Sequence, residues 1–449
     1  MADIAPASLA PQRQQLERLA ALALESAKQS GADSAELAAS LDEGLSVRVR
    51  NGQPDTVEHN RDKSFGITVY RGKSKGSAST TDFSESAIRE TVARACAIAR
   101  YTSEDPCAGL ADADLMATDL PDLDLYHPWQ ISAEEAIDKA CEMEQAAFDA
   151  DSRVSKPGGA NVGRHEGISV YANSHGFCGI VPSSRHSLSC SMIAGEGSTM
   201  QRDHHYSVSR LPSELDSPAS VGAEAARRAV LRLGAKPVKT GVYPVLFDPS
   251  MARSLLQHFV SAVSGSALYR RSSFLLDKAG EPVFCPAVTL REEPLIPRAL
   301  GSSAFDRDGL ARRPRTLVDA GVLQGYVLGS YSARKLGLPS TANAGGVRNL
   351  ILTPGEQDLP QLMKTMGTGL LVTEMMGQGV RLTTGDYSRG AAGLWIENGQ
   401  ISHAVQEITV AGNLASMYQN IAAIGADTDI RGNIRTPSIL IREMTIAGQ

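Results

Sequence analysis

Apolar residues recur at helical spacing through Leu16, Leu19, Ala20, Ala23 and Ala27 and stop before Gly31, which predicts an opening amphipathic helix closed by a glycine. Alternation of period two then takes over. Leu45, Val47 and Val49 alternate with polar residues up to Asn51-Gly52, a dipeptide suited to the left-handed turn of a tight hairpin. A second strand pair is predicted at 65–70 and 76–80, across Arg71-Gly72-Lys73. Asp82-Phe83-Ser84-Glu85 offers a capping box to a helix carrying Ile88, Val92, Ala95 and Ala99. Residues 106–128 show neither period and read as a linker. Ser132 with Glu135 makes a second capping box, for a helix running to about Asp151. Short strands follow at 168–172, 177–180, 187–194 and 204–210, and Ser217-Pro218 opens a helix that ends at Gly234. Beyond it, glycine-rich turns separate β-branched runs at 316–318, 370–374, 393–397, 401–410 and 438–446, with a helix at 248–264. The expected fold class is α+β: mixed N-terminal domains with antiparallel strands at 1–115 and 116–236, then a large, mainly antiparallel β domain with a few helices at 237–449.

A chain of 449 residues exceeds the usual single core, which agrees with several domains. The formal charge of -6 and pI near 5.9 argue against a dedicated nucleic-acid or anionic-membrane surface, because phosphate binding needs clustered Lys and Arg. Six cysteines, at 96, 107, 141, 178, 190 and 285, form no C-x-x-C pair and read as reduced thiols of a cytoplasmic protein. The opening Met1-Ala2-Asp3-Ile4-Ala5-Pro6 lacks a basic segment followed by an apolar one, and no run approaches the ~18 apolar residues of a membrane span. The expectation is a soluble, cytoplasmic chain with no direct nucleic-acid or membrane partner.

Candidate chemistry is sparse. No carboxylate pair has a spacing that identifies acid–base catalysis, Gly-x-Ser-x-Gly is absent, and no catalytic residue is assigned. His204-His205 are adjacent on a predicted strand, so their side chains point to opposite faces. His165-Glu166 and His175 border predicted turns. The helix at 248–264 begins with Asp248 as N-cap and Pro249 at the first turn, and buries Leu255, Leu256, Phe259, Val260 and Val263 along one face. His258 on this helix reads either as a polar group facing a cleft or as a partly buried histidine bonded to a backbone carbonyl, the commoner arrangement.

In order along the chain, several segments resemble the TldD/PmbA family of bacterial peptidases: Arg61-Asp62-Lys63-Ser64-Phe65-Gly66, Thr316 through Tyr326, Gly346-Val347-Arg348-Asn349-Leu350, Gly390 through Gly399, and the ending from Pro437. Metal-binding members of that family carry His-Glu-x-x-x-His on the helix that starts here at Asp248. Aligned on Leu255-Leu256, the two histidine positions hold Gln257 and Ala262, and the glutamate position holds His258. The family's third ligand is a cysteine near the C-terminus, and this chain has none beyond Cys285. Zinc requires three protein donors plus a water. The resemblance is therefore to the PmbA/TldE branch, which lacks the metal motif. It implies no metal or other cofactor in this chain, zinc on a TldD-like metal-binding partner in a heterodimer, and an unfolded peptide as substrate. It also implies links to microcin leader processing, antitoxin degradation and modulation of DNA gyrase. A homodimer is expected when the chain is alone, because a face built to meet a similar fold can meet itself. Leu350, Ile351 and Leu352, with Leu394, Trp395 and Ile396, are candidate cavity strands, because an extended peptide can bind by adding to a sheet edge. The alternatives are ordinary sheet interior for those strands, a self-sufficient hydrolase using His258 as base, and a non-enzymatic protein binding gyrase or toxin–antitoxin components.

Overall fold

The computed structural model describes residues 9–448; Met1–Ser8, which include the segment read above for targeting, and Gln449 lie outside the described residues. The first helix, α1 (Ala10–Gln29), buries Leu16, Leu19, Ala20, Ala23 and Ala27 as the spacing predicts. Strands β1 (Ser34–Arg50) and β2 (Gln53–Arg71) flank Asn51 and Gly52, both at positive φ (56° and 66°), the geometry a two-residue hairpin demands. After β3 (Ser74–Thr80), helix α2 (Glu85–Tyr101) is capped by Ser84, whose hydroxyl accepts from the Ala87 N–H. Asp82 instead accepts from the Ser84 N–H, ordering the cap from two residues further out. Helix α3 (Ala133–Ala150) opens on the expected capping box of Ser132 and Glu135. Strands β4 (Val154–Asn173), β5 (Cys178–Ala194) and β6 (Gln201–Ser209) and helix α4 (Pro218–Leu231) complete this part.

These six strands form one antiparallel sheet in the order β3-β2-β1-β4-β5-β6. Strand β1 pairs with β4 from Glu36↔Asn173 to Val49↔Ala160, so the sheet runs unbroken through the first two expected units. Several strands are longer than the apolar pattern suggests. The runs expected at 168–172 and 187–194 are the ends of β4 and β5, and the polar stretch 53–64 is strand too, exposed along its whole length. Polar residues persist in a strand when a neighbour on the ladder satisfies their backbone, whatever their side chains prefer. His165 and Glu166 accordingly lie mid-strand in β4 and not at a turn.

All four helices lie on one face. Odd-numbered Leu37 and Ala39 of β1 pack under α1 and α2, while Leu45, Val47 and Val49 pack under α3 and α4. Alternation sends Glu36, Ala38 and Ser40 to the opposite, helix-free face. Helices α3 and α4 approach so closely that a Cβ at Gly222 would overlap the Met143 carbonyl.

The C-terminal part is α+β with mainly antiparallel sheet, as expected. Strand β7 (Gly241–Phe247) leads into helix α5 (Pro249–Ala262). In the larger sheet, β7 pairs with Gly369–Met376 in parallel and with Ile439–Ala447 antiparallel. Pairing continues from Ile439–Ala447 to Gln400–Asn413, on to Asp386–Glu397, and back to Gly369–Met376, so five strands close into a ring. A second, five-stranded sheet holds Leu350–Leu352 between Leu290–Glu292 and Ile434–Arg435. Helix α5 sits in the main core with side chains from both sheets, among them Val245, Phe247, Leu350, Leu352, Val372 and Ile441. Among the described residues no helix is long and apolar enough to cross a membrane.

Candidate functional site

Helix α5 is well made. The Asp248 carboxylate accepts from the Met251 N–H at 2.8 Å, and Pro249 fills the first turn, where no N–H is needed. Phe259 is fully buried and meets Phe284 edge-on at 4.9 Å, and Tyr418 donates its hydroxyl to the Leu255 carbonyl at 2.9 Å. The three positions aligned with the metal motif fare differently. Gln257 is exposed. Ala262 is completely buried, with its carbonyl accepting from the Ser273 hydroxyl at 2.6 Å. His258 is half-buried, its ring edge-on to Tyr387 at 6.1 Å and its Nε2 enclosed without a partner among the described residues. The carbonyl bond expected for a buried histidine is absent, because the helix carries the ring against an aromatic face. Burial, helped by the charge of Arg389, lowers its pKa and keeps it neutral.

These residues do not fit zinc. An exposed amide, a packed methyl and an imidazole one position from the ligand slot supply no convergent set. Cys285, the last cysteine, is buried in the core, with its N–H donated to the Tyr418 carbonyl. No group of three or more His, Cys, Asp or Glu among the described residues could hold a metal ion.

The candidate cavity strands lie in the core. Leu350 and Leu352 are wholly buried, Ile351 is half-buried, and Leu394, Trp395 and Ile396 are buried, with the Trp395 ring edge-on to Tyr243 at 5.0 Å. Both strands are paired on both sides, so neither offers a free edge. His204 and His205 alternate on β6 as expected, and His205 faces a cleft of about 700 Å³ at the start of α5 together with Glu214, Asp216, Arg228 and Arg431.

A second cleft, of about 580 Å³, separates the helix-free face of the six-stranded sheet from the loop at 303–308. Its acids are held in fixed positions. Glu36 accepts from the Tyr70 and Tyr171 hydroxyls at 2.7 and 2.8 Å. Asp306 accepts three backbone N–H groups, from Asp308, Leu310 and Ala344, and Asp308 accepts one from Ser330. Burial raises the Glu36 pKa, and burial together with the charge of Asp308 pushes Asp306 up to about 6. Buried arginines fix the surrounding backbone: Arg312 donates to the carbonyls of Phe305, Ala344 and Gly346, and Arg210 to those of Leu125, Ser184, Ala299 and Leu300. No motif in the sequence marks this cleft. Its nearest sequence signal is Asp306-Arg307-Asp308-Gly309, alternating charges before a glycine at φ +84°.

Asp306 makes a pH prediction. With a folded-state pKa above the ordinary 3.8, the folded protein holds this proton more tightly than the unfolded chain. Its stabilising contribution is complete below pH ~4 and is lost as pH rises through about 6. Acidification from pH 7 to 5 should stabilise the wild type relative to Asp306→Asn by about 1 kcal/mol, read from urea midpoints. A pH-independent difference between the two proteins would overturn this account.

Profiles of the three PmbA/TldA metallopeptidase domains match this chain: domain 1 over residues 35–99, the central domain over 126–233 and the C-terminal domain over 240–448. The chain is 47% identical to metalloprotease PmbA of Escherichia coli O157:H7, covering 98% of this chain and 97% of that protein. It is 46% identical to a PmbA homolog of Haemophilus influenzae, over 100% and 99% of the two chains. A crystal structure from Bacteroides thetaiotaomicron, described as a candidate modulator of DNA gyrase, superposes with a TM-score of 0.91 at 28% identity, over 96% of this chain and 99% of that one.

Proposed function

The chain belongs to the PmbA/TldD metallopeptidase family as a PmbA/TldE-type member, and on that premise we propose that it is the non-catalytic subunit of a two-chain metalloprotease whose zinc sits on a TldD-like partner. One observation carries the reading. Helix α5 keeps its cap, its apolar face and its place in the core, while its ligand positions hold an exposed Gln257, a neutral His258 and a packed Ala262. Burying that face stabilises the fold whether or not a metal is bound, so the helix serves as scaffold. The chain would complete a cavity for unfolded peptides, with a microcin leader or an antitoxin as candidate substrates. It would work in the cytoplasm, consistent with six free cysteines, and would pair with itself when its partner is absent.

The test is co-expression with a relative that carries His-Glu-x-x-x-His, followed by peptidase assays and metal analysis of each chain. Cleavage is expected only from the mixture, is lost in chelator, and returns with added zinc. Stoichiometric zinc on this chain alone would sink the proposal. So would cleavage by the isolated chain that survives chelator and disappears in His258→Ala, the outcome for a self-sufficient hydrolase. A second reading draws on the description of the Bacteroides relative as a modulator of DNA gyrase: a non-enzymatic protein that binds gyrase, or, from the family resemblance, toxin–antitoxin components. It predicts tight binding to such a partner with no metal-bearing chain present.

A further inference from the structure

The 580 Å³ cleft holds charges of both signs, and among the described residues none of them forms an ion pair. Glu36, Asp306 and Asp308 accept only from tyrosine hydroxyls and backbone N–H groups, and none forms a salt bridge among the described residues. Lys75, whose charge Glu36 feels, stands over the Tyr331 ring at 5.6 Å instead. Arg307 and Arg348 line the same cleft, and among the described residues neither side chain has a hydrogen bond or ion pair; the Arg348 Nε is enclosed without an acceptor. Opposite charges in one cleft ordinarily close onto each other. Here the fold holds them apart. Asp306 and Asp308 are tied to the backbone, Glu36 is gripped by two tyrosines, and the Arg348 backbone N–H is anchored on Glu292 at 2.7 Å. Charges kept partly desolvated and unpaired are costly, and a ligand that carries both signs relieves them together. The volume lies within the ~300–1,000 Å³ range of small-ligand sites.

We propose that this cleft binds a short peptide by its two free ends, the ammonium on Glu36 and Asp308 and the carboxylate on Arg307 and Arg348. The choice of a peptide over another dipolar molecule rests on the peptidase reading above; the charge pattern stands without it. A site of this kind prefers fragments with both ends free to an intact polypeptide, and so recognises the products of proteolysis.

Titration calorimetry of the purified chain tests this with trialanine, N-acetyl-trialanine and trialanine amide. Trialanine should bind saturably at millimolar concentration, and either block should weaken binding by about tenfold or more, since each removes a charge-assisted bond. Asp308→Asn should shrink the difference between free and acetylated peptide, and Arg348→Gln the difference between free acid and amide, since each removes one of the two charges that hold that end. Absence of saturable binding, or equal affinity for blocked and free peptides, overturns the proposal. If a variant fails to fold, the blocked peptides on the wild type decide alone. Neither partner nor metal is needed, so failure here beside intact zinc-dependent cleavage by the mixed chains would remove this site and leave the peptidase reading standing.

Discussion

Glu292→Leu is expected to cost about 3–5 kcal/mol of stability, the range for removing one member of a buried ion pair. Glu292 is 2% exposed and is the hub of the five-stranded sheet. One carboxylate oxygen accepts from Asn343 Nδ2 at 2.9 Å and the Arg348 N–H at 2.7 Å, and the other from Arg315 Nε at 2.9 Å. Arg312, also buried, stands 3.6 Å from it, with its remaining donors on the carbonyls of Phe305, Ala344 and Gly346. Burial holds the Arg312 pKa down, at about 10, which is the mark of a charge that needs its neighbour. A leucine would leave the buried Arg312 and the partly buried Arg315 without their paired carboxylate and free the loop that carries Arg348. Glu292→Gln, which keeps the shape and some acceptors, should lose less. The cycle with Arg312→Met should show strong coupling, the double variant losing well under the sum of the singles. Additive losses in chemical denaturation would show that the pair is not the source.

Arg210→Met should lose a comparable amount, about 3–5 kcal/mol, for a different reason. Arg210 is 7% exposed and among the described residues has no carboxylate partner; its donors reach Ala299 O at 3.2 Å, Leu125 O at 3.3 Å, Ser184 O at 2.9 Å and Leu300 O at 3.1 Å. It therefore ties the linker, strand β5 and a loop of the C-terminal part at one point. Methionine matches much of its volume but takes a donor from each of four carbonyls; those of Leu125 and Ala299 keep the N–H groups of Ser184 and Ser302, so the loss falls hardest on the carbonyls of Ser184 and Leu300, each costing about 1–3 kcal/mol if water cannot reach it. Arg210→Lys should recover only part of the loss, since one ammonium cannot span four acceptors set around a planar fork. A melting temperature unchanged in Arg210→Met would refute this role.

The legible elements were those whose signal is local. The apolar stripe of α1, the Asn51-Gly52 hairpin, the Ser132–Glu135 capping box and the Asp248-Pro249 start of α5 each need only a few neighbouring residues, and each stands where its residues indicate. Strand lengths were less legible. Residues 53–64 are polar and exposed, and they are strand only because β1 offers its backbone. His258 shows the same limit: its position on the helix was readable, but not that an aromatic ring, Tyr387, would take the place of the expected carbonyl.

The sequence by itself determined the α+β class, the family and the loss of the metal ligands, because substitutions such as Ala for a ligating histidine remove donors that no folding can restore. Only the tertiary structure decided where charge collects. Glu36 and Asp308 lie far apart in the chain, as do Arg210 and the four carbonyls it holds, and their meeting depends on the register of β1 against β4 and on loops threading between two sheets. Burial then changes what those groups are, raising the proton affinity of Glu36 and Asp306 and leaving Arg348 Nε without an acceptor. A side chain's chemistry is written in the sequence, but the dielectric around it and the partners it meets exist only once the chain has folded.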